Sequence, residues 1–128
     1  MLAAVCLGGC ALGSAQALAR PVTATVTNVA VTAGKPSEFR FTLSASTVKR
    51  GVLVFKVTNH GTVPHAFKIC TGRNKPLADS CPGTATRLIS PGQSNTLRLA
   101  ILLKGSYEYL CTVPGHAASG MKGVLKVT

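Results

Sequence analysis

The chain has 128 residues, 46% of them apolar, which is enough for one hydrophobic core and too little for a second, catalytic domain. Fourteen Lys and Arg against three Asp and Glu give a net charge of +11, spread from Arg20 to Lys126 without a dense basic run. Nucleic-acid binding ordinarily brings a basic stripe with interleaved aromatics; aromatics are 5% here and Trp is absent, so no nucleic acid is expected, and the evenly basic face is expected to meet acidic or anionic partners.

The first element is an uncharged stretch over residues 2–19, with an apolar run from Leu2 to Leu12 and two small-x-small cleavage patterns, Ala15-Gln16-Ala17 and Ala17-Leu18-Ala19. It reads as an export signal over 1–19, cut near Ala17 or Ala19, although no basic residue precedes the apolar run. Eleven apolar residues are too few to span a bilayer. A competing reading is a lipoprotein signal, in which Leu7-Gly8-Gly9-Cys10 places small residues before a cysteine that could be lipidated and so tether the chain to a membrane. Either way the expected compartment is outside the cytoplasm, periplasmic or extracellular, with residues 20–128 forming one domain.

Beyond residue 19 no helical period of useful length appears. Short β-branched runs separated by Gly, Pro, Asn and Ser recur instead, at the spacing of an all-β sandwich. Strands are expected over Val22 to Val31, Glu38 to Leu43, Gly51 to Thr58, Ala66 to Cys70, Thr86 to Ile89, Asn95 to Ile101, Ser106 to Cys111 and Gly123 to Thr128. About eight strands suit a Greek-key β-sandwich. In Val52 to Val57 both faces are nearly apolar, which predicts a central strand. Turns are expected at Ala33-Gly34-Lys35-Pro36, Asn59-His60-Gly61, Ser90-Pro91-Gly92 and Lys104-Gly105.

Loss of residues 1–19 leaves Cys70, Cys81 and Cys111, an odd number in a compartment where disulfides persist. Cys70 and Cys81 flank a polar, turn-rich stretch, so a bridge between them would staple a loop of about ten residues, worth roughly 3 kcal/mol in the chain-entropy account. The alternative, that one of the two ligates a metal, has no nearby His in its support.

The segment Cys111-Thr112-Val113-Pro114-Gly115-His116-Ala117-Ala118-Ser119-Gly120-Met121 puts a thiolate, an imidazole and a thioether between the last two strands. A second imidazole, His65, follows Pro64 at the start of another strand. Soft sulfur suits Cu(I) and imidazole tolerates Cu(II), so the set points to one type 1 copper ion held by His65, Cys111 and His116 with Met121 as weak axial ligand. Separately each residue has an ordinary structural reading, as a core Met, a satisfied His or a small buried Cys; the combined spacing favours copper. His60 is expected to be an exposed turn residue.

Here the sequence resembles the cupredoxin family of type 1 copper proteins. The stretches that carry the resemblance are Asn59-His60-Gly61-Thr62-Val63-Pro64-His65 and Cys111 to Met121 with Gly123 beyond. One departure is Ala66, where the family often carries an Asn or Ser that hydrogen-bonds toward the cysteine loop. The resemblance implies a one-electron carrier whose His116 edge is exposed within an apolar patch, formed here by Val63, Pro64, Pro114, Gly115, Ala117 and Ala118. Redox proteins with acidic docking surfaces are the expected partners, steered by Lys122 and the other basic residues. The alternative is a copper carrier or buffering module of the same fold. An enzyme is not expected: a self-contained multicopper oxidase needs further copper ligands, and the only histidine besides His65 and His116 is His60.

Overall fold

The structure, a computed structural model, describes residues 17–19, 23–72 and 81–128. Apart from 17–19, the expected export signal lies outside the described residues, and so does Cys10.

The alternating stretches fold as nine strands: β1 (Val26–Ala33), β2 (Phe41–Leu43), β3 (Thr47–Val48), β4 (Gly51–Asn59), β5 (Phe67–Cys70), β6 (Gly83–Ala85), β7 (Ser94–Ile101), β8 (Gly105–Cys111) and β9 (Lys122–Val127). They form two sheets, one ordered β2-β1-β4-β7 and the other β3-β9-β8-β5-β6. Both are mixed: β1 with β4 and β3 with β9 run parallel, and all other neighbours run antiparallel. The chain therefore crosses repeatedly between the sheets, and the all-β sandwich expected from the sequence is the fold.

Period two builds the core, because alternate side chains of a strand face the same side. β4 lies between β1 and β7, and Leu53, Phe55 and Val57 point inward with no exposed surface. Val29, Val31 and Ala33 of β1 meet them, facing Phe67 and Ile69 of β5 and Leu125 and Val127 of β9. Full burial of a side chain such as Phe55 contributes about 1.5–3 kcal/mol.

Four expectations about strands need correction. The first strand runs from Val26 rather than Val22, since its ladder with β4 starts at Val26 opposite Val52, the second residue of β4. Only Phe41–Leu43 of the expected Glu38 to Leu43 strand pairs, because residues 34–40 leave the sheet to form the connection toward the site. Thr86 to Ile89 is not a strand; Gly83–Ala85 pairs with β5 instead, and Ile89 makes a single bridge to His65. β3 was not expected at all, a two-residue strand being too short to carry a period.

Register then brings the functional loops together. Ala33 and Asn59, the last residues of β1 and β4, are paired neighbours, and His60 N–H donates to Ala33 O at 2.9 Å. Phe67 stands opposite Cys111, so the end of β8 and the start of β5 share one edge of the second sheet. The β1–β2, β4–β5 and β8–β9 connections consequently meet at a single place.

Candidate metal centre

His65 is fixed before any metal is considered. Its backbone exchanges hydrogen bonds with Ile89, N–H to Ile89 O at 3.1 Å and Ile89 N–H to His65 O at 2.7 Å. The buried Asn59 holds the preceding loop: its amide nitrogen donates to Val63 O (2.8 Å) and Ile89 O (2.9 Å), and its oxygen accepts from Gly61 N–H (2.8 Å). With Pro64 restricting the chain as well, His65 enters the sandwich fully buried.

The second loop is held at both ends. Cys111 N–H donates to Met121 O at 3.0 Å, and Met121 N–H donates to His116 O at 3.0 Å. A tight turn between them is closed by His116 N–H to Val113 O (3.1 Å), Ser119 N–H to Gly115 O (3.0 Å) and Gly120 N–H to Ala117 O (2.9 Å). Gly115 at φ 82° and Gly120 at φ 103° occupy the left-handed region that glycine tolerates, which lets the turn close. Cys111 and Met121 are buried, while His116 is partly exposed.

Three donor atoms converge there. His65 Nδ1 lies 3.2 Å from His116 Nδ1, His116 Nδ1 lies 3.6 Å from Cys111 Sγ, and Cys111 Sγ lies 4.0 Å from His65 Nδ1. A triangle with those sides is acute and has a circumradius of about 2.1 Å, within the ~2.0–2.3 Å of metal–imidazole and metal–thiolate bonds. One ion at its centre would therefore satisfy all three donors without moving them. One soft sulfur and two imidazoles gathered this closely form a donor set that fits copper. Met121, fully buried, belongs to the same packed cluster as Cys111.

Electrostatics follow from burial. The Cys111 thiol is pushed up chiefly by desolvation, offset in part by N–H groups of Ala66 and Val113. His116 is pushed down, first by desolvation and then by the neighbouring His65, with Glu38 acting the other way. A metal must therefore displace a proton from sulfur, and its charge supplies the compensation that the apolar site withholds.

Four features differ from the sequence expectation or were missed by it. Ala66 supports the sulfur with its backbone, N–H to Cys111 Sγ at 3.5 Å, so no side-chain donor at that position is required. Ala117 is buried against Cys70 and Leu110 rather than part of the apolar surface, whereas Val63, Pro64, Pro114, Gly115 and Ala118 are exposed. Phe39 joins them, its ring 4.9 Å from the His116 ring in an edge-on contact. Glu38, also missed, accepts from His65 Nε2 at 2.8 Å. A rare acid in so basic a chain was the available signal. The amide N–H groups of Thr62 and Val63, together with His65, hold its carboxyl at about 2 against the partial desolvation of the site. His60 is an exposed turn residue, as expected.

Cys70 and Cys81 form the expected disulfide, with Cα atoms 5.7 Å apart. Most of the loop it closes, residues 73–80, lies outside the described residues. The bridge packs against Leu110 and Ala117, so it stands behind the loop that carries His116.

Comparison with known proteins fits this arrangement. Auracyanin-B of Chloroflexus aurantiacus (strain ATCC 29366 / DSM 635 / J-10-fl) is 42% identical over 43 residues, which make up 34% of this chain and only 18% of that protein's length. A solved structure of auracyanin B superposes with a TM-score of 0.65 at 25% identity, covering 83% of this chain and 91% of that one. Auracyanin A, a "blue" copper protein from the same green thermophilic photosynthetic bacterium, gives 0.61 at 19% identity over 81% of this chain and all of that one. Rusticyanin from Thiobacillus ferrooxidans gives 0.60 at 21% over 83% and 79%. At such identities the last two establish a shared fold. The model of the copper binding proteins of the plastocyanin/azurin family matches residues 27–128, from β1 through both donor-bearing loops to the final strand, and the chain belongs to that family.

Proposed function

We propose that the protein is a one-electron carrier whose copper would be held by His65, Cys111 and His116, with the thioether of Met121 as a weaker fourth ligand. The observation that carries this reading is the triangle of donors, already spaced for one ion and fixed on two loops by backbone hydrogen bonds. Copper bound there alternates between Cu(I) and Cu(II), which supplies the one-electron step. The chain's own contribution is a geometry that does not have to change: His65 is pinned to Ile89 and Asn59, and the Cys111–Met121 loop is closed on itself. Buried Cys111 and His65 exclude water from two of the donors, and the partly exposed His116 edge offers the electron a short way out.

Around that edge Phe39, Val63, Pro64, Pro114, Gly115 and Ala118 form an exposed apolar rim, and Arg40 lies against Gly120 with its guanidinium donating to Gly120 O at 3.4 Å. An apolar contact with a cation at its border, on a chain of net charge +11, suits redox proteins with acidic docking surfaces, where charge sets encounter rate more than affinity. With His60 exposed and away from the centre, no second copper site can be assembled from histidine, which favours a carrier over an enzyme. The disulfide supports an exported, oxidising location for residues 20–128, reached through the signal at 1–19.

Titration of the purified protein with Cu(II) is expected to produce one equivalent of an intense visible thiolate-to-copper absorption, absent in Cys111→Ser. A colourless wild-type protein in the presence of Cu(II) overturns the site. Electron exchange with an acidic redox protein is expected to be fast relative to copper loss to a chelator; the reverse order identifies a copper donor instead.

A further inference from the structure

We infer that Glu38 is the positioning residue of this metal centre: its carboxylate selects the tautomer of His65, locks the loop that carries it, and biases the site toward the oxidised metal. This rests on the reading of His65 as a ligand.

Glu38 sits in the connection between β1 and β2, far in sequence from both donor loops. Its Oε1 meets His65 Nε2 at 2.8 Å. A carboxylate only accepts, so this nitrogen carries a ring proton, and in the neutral ring Nδ1 is then the lone pair offered toward His116 Nδ1 and Cys111 Sγ. Without that partner a buried neutral imidazole could protonate either nitrogen, and the Nδ1–H form cannot bind metal through Nδ1.

The same carboxylate gathers the loop before His65. Both oxygens accept from Thr62 N–H at 3.0 Å, Oε2 accepts from Thr62 Oγ1 at 2.9 Å, and Oε1 accepts from Val63 N–H at 3.3 Å. Space has been cleared for this contact. A Cβ on Gly61 would collide with the Glu38 carboxylate and crowd His65 Nε2, and a Cβ on Gly34, at φ 80°, would in turn strike the Gly61 backbone. The carboxylate is thus seated against one glycine, Gly61, whose missing side chain its close approach requires.

Charge completes the argument. The chain has three acids against fourteen basic residues, and one of the three is placed on a ligand imidazole. With the Cys111 thiolate it balances a dication, so removing its charge favours the reduced, singly charged metal. Carboxylate–imidazole–metal arrangements also raise ligand basicity, and loss of such a partner lowers metal affinity by roughly 10–100-fold.

The test is Glu38→Gln, which keeps the shape and removes the charge, beside Thr62→Val, which removes the hydroxyl tie and leaves the carboxylate. Glu38→Gln is expected to bind copper about 10–100-fold more weakly and to show a raised reduction potential; Thr62→Val is expected to leave the potential near that of wild type. Nitrogen-15 NMR of the metal-free wild type is expected to show His65 as the Nε2–H tautomer. An Nδ1–H tautomer in the wild type overturns the proposal, whether or not the variant folds, as does a folded Glu38→Gln with unchanged affinity and potential. If Cys111→Ser also keeps its copper, the ligand assignment itself fails. If only Glu38→Gln is silent, the ligands stand and the positioning role falls.

Discussion

Cys111, His116 and Met121 are legible in the sequence because one loop carries all three, and spacing within a loop survives any uncertainty about the fold. His65 is legible through Pro64 and the turn before it. Asn59, Glu38 and Phe39 are not, because their roles are set by register: Asn59 reaches Val63 and Ile89, while Glu38 reaches a ring 27 positions away. Residues whose partners lie across a sheet leave no local pattern. Met121 tests the residue scale most sharply, since it serves both packing and chemistry. Replacing it with Leu keeps the volume, so stability in urea is expected to change by less than about 1.5 kcal/mol. The same substitution removes the thioether, so the reduction potential and the visible spectrum of the copper-loaded protein are expected to shift. A Met121→Leu protein with wild-type stability and wild-type spectrum would remove Met121 from the ligand set and leave it as core.

Among elements, strands that present side chains to the core were visible and strands held by backbone alone were not. β4, buried in alternation along its whole length, announces itself; β6, with all three residues exposed, pairs with β5 only through its backbone and carries no period. Gly83 fits there because a Cβ would strike Ile69 O, and of the more β-like Thr86 to Ile89 only Thr86 continues along β5, its N–H donating to Phe67 O at 2.9 Å and its hydroxyl accepting from Phe67 N–H at 3.0 Å. The element with most consequence for the site is the disulfide between β5 and the start of the segment leading to β6. Replacing Cys70 and Cys81 together with Ser removes a ten-residue loop closure and the packing behind Ala117. Thermal or denaturant unfolding is expected to show a loss of about 3 kcal/mol. Because Ala117 adjoins His116, copper is also expected to leave the double variant for a chelator faster than it leaves the wild type. Unchanged release kinetics would confine the bridge to a role in stability.

At the scale of the whole molecule, the core and the metal centre share Cys111 and Met121, but most of the core lies away from the donors. The packed interior of Phe55, Phe67, Leu53 and Leu125 needs no metal to form, and the three donors are held where it ends by backbone hydrogen bonds of their own. The chain is therefore expected to fold without copper, unlike small domains whose metal is their core. Binding then adds stability by mass action alone: free copper at 100 times its dissociation constant contributes about 2.7 kcal/mol. For a domain of this size that raises the unfolding midpoint by on the order of 10 °C. Calorimetry of the metal-free and loaded forms measures both parts. A metal-free protein with strand circular dichroism and a cooperative transition, moved upward by copper in the wild type and hardly at all in Cys111→Ser, is the expected pattern. A metal-free chain without a cooperative transition would mean that the donor triangle is made by the ion rather than waiting for it, and the case for an electron carrier with little rearrangement would fail with it.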